Sequence, residues 1–159
     1  MRFFEDIEIG SEEALGSHTF TADEIKAYAA KFDPQPFHLD EEAAAKSHFG
    51  GLCASGWHTA AIWMKLMIAH RKRLIEENPP EAGARQAPLG PSPGFDDMKW
   101  LKPVYVGDTV RYSTRVASKR RLSSRPGWGL VSAANAGINQ NGDTVFTFTS
   151  HVLVGLRGS

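Results

Sequence analysis

Hydrophobic positions in the first half of the chain recur at helical spacing, whereas those in the last third alternate. Glu13 to Phe20 has weak strand character. Ile25, Tyr28, Ala29 and Phe32 then follow at intervals of three and four, which predicts a short amphipathic helix ending just before Asp33. Thr21 and Glu24 open it as a capping box, hydroxyl and carboxylate satisfying each other's orphan amides. A second short helix runs from an Asp40 N-cap through Lys46 and carries Ala43, Ala44 and Ala45, ahead of a turn at Phe49-Gly50-Gly51. The third and longest helix occupies Ser55 to about Glu77. Its first half (Trp57, Ala60, Ala61, Ile62, Trp63, Met64, Leu66, Met67, Ile68) is apolar nearly all round, the mark of a helix surrounded by protein. Its second half, His70 to Arg73 and then Glu76-Glu77, is charged and is expected to emerge into solvent before Pro79-Pro80 stops it.

From Pro79 to Gly94 the periodicity disappears, and eight of these 16 residues are proline or glycine. Loops of this length inside a domain are uncommon and usually functional or mobile. This one is read as an insertion that either covers a ligand tunnel or makes a surface excursion. The pattern then becomes β. Asp96 to Leu101 is a candidate strand, and Thr109 to Val116 alternates with Val110, Tyr112, Thr114 and Val116 on one face. Gly129 to Ile138 and Thr144 to Val154 flank Asn141-Gly142, a type I′ hairpin signal because both residues tolerate positive φ. Phe146, Phe148, Val152 and Val154 share one face of the last strand. An N-terminal strand, two short helices, one buried helix and an antiparallel meander predict an α+β layout, with a curved sheet wrapped around the long helix.

At 159 residues the chain reads as one domain spanning residues 1–159, large enough for a hydrophobic core. Lysine plus arginine total 18 and aspartate plus glutamate 18, so no net field favours nucleic acid or an anionic membrane. The single cysteine, Cys53, rules out an intramolecular disulfide framework and fits a reducing compartment. Met1 to Gly10 is acidic and has no basic start followed by an apolar run, so no secretory signal is expected. The longest apolar stretch, near Ala60 to Ala69, is broken by Lys65 and is shorter than the roughly 20 residues a bilayer requires. A cytoplasmic protein is the expectation.

Between the first two helices, Asp33-Pro34-Gln35-Pro36-Phe37-His38 sets a carboxylate and an imidazole on a connection stiffened by two prolines. Proline fixes its own φ and biases its predecessor towards extended geometry, so Lys31 to Phe37 is expected to be non-helical. Such an acid/base pair can polarise one water from two sides. Asp33 can equally cap the turn at Pro34, and His38 can be an ordinary loop histidine. His38, Asp40 and His58 are ligand-type side chains, but their spacing matches no standard metal site and Asp40 already serves as an N-cap; no metal and no cofactor are expected. His58, one turn into the long helix, reads as a packed core histidine. Lys119-Arg120-Arg121 and Arg125 fit the solvated end of a hairpin, with phosphate contact as the alternative. No aromatic residues interleave this run, which argues against nucleic acid.

The layout and these motifs together resemble the hotdog fold, and within it the MaoC-like (R)-specific enoyl-CoA hydratases. The family signature Asp-x-Asn-Pro-x-His stands here as Asp33-Pro34-Gln35-Pro36-Phe37-His38, with Gln35 in the place of asparagine. The alanine- and glycine-rich opening of the buried helix stands as Leu52-Cys53-Ala54-Ser55-Gly56-Trp57-His58. Gly107-Asp108, following Lys102-Pro103-Val104, matches the family's approach to the sheet, and the resemblance covers essentially the whole chain. It implies a hydro-lyase that adds water across a trans-2-enoyl thioester, or removes it from an (R)-3-hydroxyacyl thioester, carried by coenzyme A or an acyl carrier protein. By resemblance Asp33 and His38 contact the water. The Gly56 amide, at a helix start where free N–H groups favour negative charge, is the oxyanion donor by resemblance. The resemblance also implies a homodimer with the acyl chain near the subunit interface. Trp57, Trp63 and Met64 are candidates for lining the acyl pocket, with core packing the simpler role for each. The arginine run could meet coenzyme A phosphates. Two alternatives stay open: a hotdog thioesterase, in which a carboxylate activates water against the thioester carbonyl, and a non-catalytic domain that binds acyl thioesters.

Overall fold

The computed structural model describes residues 2–82 and 84–158; Met1, Ser159 and Gly83 of the predicted loop lie outside the described residues. A 3-10 turn at Phe4–Asp6 precedes β1 (Glu12–Thr19), α1 (Ala22–Phe32), α2 (Pro36–Leu39), α3 (Glu41–Ala45) and α4 (Gly56–Glu77). The strands β2 (Gly94–Trp100), β3 (Thr109–Arg121), β4 (Trp128–Ile138) and β5 (Thr144–Gly155) follow.

The helices begin where their caps dictate. Thr21 accepts the Glu24 amide and donates its hydroxyl to the Glu24 carboxylate at 3.2 Å. Asp40 accepts the Ala43 amide at 2.8 Å, and Ser55 accepts the Trp57 amide at 3.2 Å. The expectation of a non-helical Lys31–Phe37 is corrected, because only residues 33–35 lie outside helices. α1 continues through Phe32, and Pro36 opens α2, since proline's fixed φ and missing N–H suit the first helical position.

Among the described residues the five strands form one antiparallel sheet in the order β1-β3-β4-β5-β2. The predicted meander is therefore confined to β3, β4 and β5, while β1 joins one edge and β2 the other. The type I′ hairpin is also corrected. Only Gly142 has positive φ (84°), and the Asn139 side chain accepts the amides of Asn141 and Asp143, so the connection is a wider loop closed by Asn139. β3 extends to Arg121, so Lys119 to Arg121 form the last residues of that strand, at the end of the β3–β4 hairpin as expected. There Lys119 donates to the Phe4 and Glu5 carbonyls, and Arg121 pairs with Glu5 at 3.3 Å. The basic run thus ties down the N-terminal turn.

Ile62, Trp63 and Met67 of α4 pack against the sheet with Val110, Tyr112, Phe146 and Phe148, giving the α+β hotdog arrangement. Each such large side chain contributes about 1.5–3 kcal/mol on burial. The buried Tyr112 hydroxyl donates to the Thr59 carbonyl at 3.1 Å and pins sheet to helix. The other face of α4 is not covered by this chain: Trp57 (53%), Met64 (52%) and Ile68 (43%) stay exposed, which corrects the expectation of a helix surrounded by protein. At its charged end, His70 is buried rather than solvated because Glu13 of β1 accepts its Nε2–H at 2.9 Å. The loop after α4 is anchored along β5, where Gly90 donates to Leu153 and Gly155 donates to Pro88. No helix among the described residues is long and apolar enough to cross a membrane.

Candidate functional site

Asp33 and His38 are brought together by the tight passage from α1 into α2. Asp33 caps the end of α1, its amide donating to the Ala29 carbonyl at 2.9 Å. His38 closes the single turn of α2 and is buried. Beneath them runs the segment before α4, which is held firmly. Ala54 donates to Val104, Val106 donates to Leu52, and Cys53 forms an isolated bridge with Tyr105.

This segment determines the protonation pattern of His38. Its Nδ1 lies 2.7 Å from the Cys53 carbonyl oxygen, which can only accept, so Nδ1 carries the proton. In the neutral ring Nε2 is then an acceptor, and it lies 3.5 Å from Asp33 Oδ2. That separation exceeds a well-formed hydrogen bond. Two acceptors face each other, which is the arrangement that one water, donating a proton to each, can bridge.

Asp33 is held in the ionised form. Burial opposes its charge, but the Ser55 hydroxyl and the Gln35 amide, joined by His38 whenever its ring is protonated, outweigh burial and keep its carboxyl below its ordinary range. Gln35 Nε2 donates to Asp33 Oδ1 at 2.8 Å, so the residue between the two prolines orients the carboxylate. The Ser55 hydroxyl acts twice, accepting the Trp57 amide as N-cap of α4 and favouring the ionised form of Asp33. One side chain couples the helix start to the acid.

Gly56 is the first residue of α4, where amides are free of intrahelical partners. Trp100 of β2 packs flat on it: a Cβ at Gly56 would meet the indole at 2.7 Å, and Trp100 Nε1 donates to the Gly56 carbonyl at 2.8 Å. A cavity of about 420 Å³ opens here, lined by Asp33, His38, Cys53, Gly56, Trp57 and Trp100 among others.

The acyl-pocket candidates separate. Trp57 lines the cavity, Trp63 is core against Phe148 at 4.7 Å, and Met64 is exposed on the outer face of α4 away from the cavity. Burial pushes the Cys53 thiol up to about 11, which keeps it protonated and inert at neutral pH. The ligand-type trio of His38, Asp40 and His58 is not assembled as a site: Asp40 caps α3, and His58 stacks on Tyr28 at 4.5 Å. Burial, with His18 and Lys65 against the opposing charge of Glu24, pushes His58 down to about 4. Sequence reasoning missed the double role of Ser55 and the wall formed by Trp100. The N-cap position of Ser55 was a usable signal, whereas Trp100 lies 44 positions from Gly56 and carried none.

The chain is similar to known proteins. The MaoC like domain matches residues 9–127, which include Asp33, His38 and Gly56. The uncharacterized protein YdeM of Bacillus subtilis strain 168 is 30% identical over 150 residues, 94% of this chain and 96% of that protein. A 3-hydroxybutyryl-CoA dehydratase of Methylorubrum extorquens is 28% identical over 119 residues, 72% of this chain and 64% of that protein. The crystal structure of the MaoC-like dehydratase from Rhodospirillum rubrum is similar with a TM-score of 0.80 and 37% identity, covering 100% of both chains.

Proposed function

The chain belongs to the MaoC-like dehydratase family, and on that premise we propose that it hydrates a trans-2-enoyl thioester and, in reverse, dehydrates the (R)-3-hydroxyacyl thioester. The observation that carries this reading is the pair of acceptors, His38 Nε2 and Asp33 Oδ2, facing each other across 3.5 Å at the cavity. A water donating one O–H to each has its oxygen lone pair directed into the cavity. As that oxygen bonds to Cβ, one of the two acceptors takes a proton, and a proton is delivered to Cα. Water adds as H and OH, with no change of oxidation state and no nucleophilic side chain. The thioester oxygen gains charge in this step, and the Gly56 amide at the start of α4 is the donor assigned to it. Such a donor is worth roughly 3–4 kcal/mol.

Similarity to a 3-hydroxybutyryl-CoA dehydratase supports a thioester substrate, on coenzyme A or an acyl carrier protein. A homodimer belongs to the same reading. The exposed face of α4 (Trp57, Met64, Ile68) meets, through the Trp57–Trp100 contact, the sheet-edge strand β2 with its exposed Phe95 and Trp100 and the adjoining Leu101, an apolar surface that a second copy would cover.

The test is a panel of enoyl-CoA esters of varied chain length and branching, followed by loss of enoyl absorbance and chiral analysis of the product. Wild type is expected to hydrate at least one ester to the (R)-alcohol, and Asp33→Asn and His38→Ala to lose that rate. Full activity in both variants would sink the mechanism. Release of free thiol with the enoyl absorbance intact would establish a thioesterase instead.

A further inference from the structure

A second cavity, of about 520 Å³, lies at the other end of α4 and shares no lining residue with the first. Arg71, on its wall, follows Gly56 by fifteen residues, about 22 Å along the helix. The cavity opens between the last turns of α4, the inner face of β3, β4 and β5, and the loop that follows α4. Its walls are mainly aliphatic, with Met67, Leu74, Leu89, Val116, Val131 and Val152 among them. Leu74 (36%), Ile75 (42%) and Leu89 (41%) all line it, and all leave much of their apolar surface uncovered.

The Arg71 guanidinium stands out on this apolar wall. It is partly buried and makes no hydrogen bond or salt bridge among the described residues. Burial disfavours its charge while Glu13 favours it. Glu13 Oε2 accepts the His70 Nε2–H at 2.9 Å, however, and among the described residues the carboxylate makes no hydrogen bond or ion pair with the Arg71 fork. A cation in such a place is stabilised by an anion that brings its own apolar cover.

We propose that this cavity is a second binding site, for an aliphatic carboxylate whose chain lies on the valine-lined sheet and whose head pairs with Arg71. The planar fork of arginine matches a carboxylate bidentately. A single negative charge suits the site better than a phosphate dianion, because the lining carries Arg71 and Arg2 against Glu13, one net positive charge. Mainly apolar walls with a few polar groups, here Arg71 and Arg2 with Glu13, Asn78 and Gln86, are the usual make-up of a small-molecule site, and the volume falls in the usual range of a few hundred Å³. The proposal does not depend on the hydration chemistry at Asp33 and His38.

Calorimetric titration of the full chain with decanoate tests it. Saturable binding is expected in wild type and unchanged in Asp33→Asn. Arg71→Gln should weaken it at least tenfold, and Val152→Phe, which fills the cavity, should abolish it. Each variant is checked by thermal melting, and either one, folded and binding like wild type, overturns the proposal. Decan-1-ol is expected to bind wild type no better than decanoate binds Arg71→Gln. Absence of saturable decanoate binding in wild type would overturn the site, as would its loss in Asp33→Asn, which would place the ligand in the first cavity. Tighter binding of decyl phosphate than of decanoate would overturn the carboxylate assignment.

Discussion

In the neutral ring His38 Nε2 and Asp33 Oδ2 face each other across 3.5 Å as two acceptors, because the Cys53 carbonyl holds the imidazole proton on Nδ1. Asn at position 33 would bring an amide donor to Nε2 and close the gap without water. Asp33→Asn is therefore expected to lower kcat by roughly 10²–10⁴-fold with little change in KM, the range for loss of positioned acid–base catalysis. Steady-state kinetics on an accepted enoyl-CoA ester measure the split. A change confined to KM would show that Asp33 only binds.

Ser55→Ala removes a helix cap and a hydroxyl that favours the ionised form of Asp33 at once. The lost cap costs about 1 kcal/mol of stability, read from urea unfolding at neutral pH. Asp33 is depressed below its ordinary 3.8 in the fold, so its ionisation adds stability above that value, and this is lost as pH falls through the lowered one. Without Ser55 the folded pKa rises, and the acid limb of the rate profile should move to higher pH. Ser55→Thr keeps a hydroxyl and should restore the limb.

Gly56→Ala forces a Cβ to within 2.7 Å of the Trp100 indole. An overpacking cost of about 1–3 kcal/mol is expected, with a change in tryptophan fluorescence as the ring moves. Adding Trp100→Ala should return most of that stability. If the double variant is no more stable than Gly56→Ala, the glycine answers to something other than this ring.

His58 titrates at about 4 in the fold, against an ordinary value of 6.5. The unfolded chain therefore takes up the proton first. Stability should be complete above about pH 6.5 and fall as pH drops from there towards 4. His58→Phe should flatten the slope in that window, as measured by denaturant unfolding across pH. An unchanged slope would assign it to other groups.

Met64→Lys places a charge on the exposed face of α4 without touching the core. Sedimentation analysis should show a wild-type dimer and a monomeric or weakened variant. An unaltered dimer would place the interface away from this face.

The local elements were legible because their causes are local. Thr21 and Asp40 announce helix starts through caps that act over three residues, and both accept the amides expected of them, as Ser55 also does at the start of α4. Alternation in β3 and β5 marked inward-facing residues such as Val110, Tyr112, Phe146 and Phe148, and these are core. Where two local signals competed, reading by rule failed. Proline breaks helices by rule, but Pro36 stands at the first helical position, where it breaks nothing. Asn141-Gly142 carried a two-residue turn signal, but the Asn139 side chain supplied a different closure.

By itself, then, the sequence determined the helix starts, the strand faces and the acid–histidine pair in one short segment. It left open whether that pair was a capped turn or a facing pair of acceptors. The tertiary structure decided this through the Cys53 carbonyl, fifteen positions from His38, which sets the tautomer. It also set Trp100 against Gly56, placed β2 beside β5 rather than β3, and left one face of α4 uncovered. Caps and alternation act between neighbours along the chain, whereas tautomers, cavities and strand order depend on groups that meet only once the chain has folded.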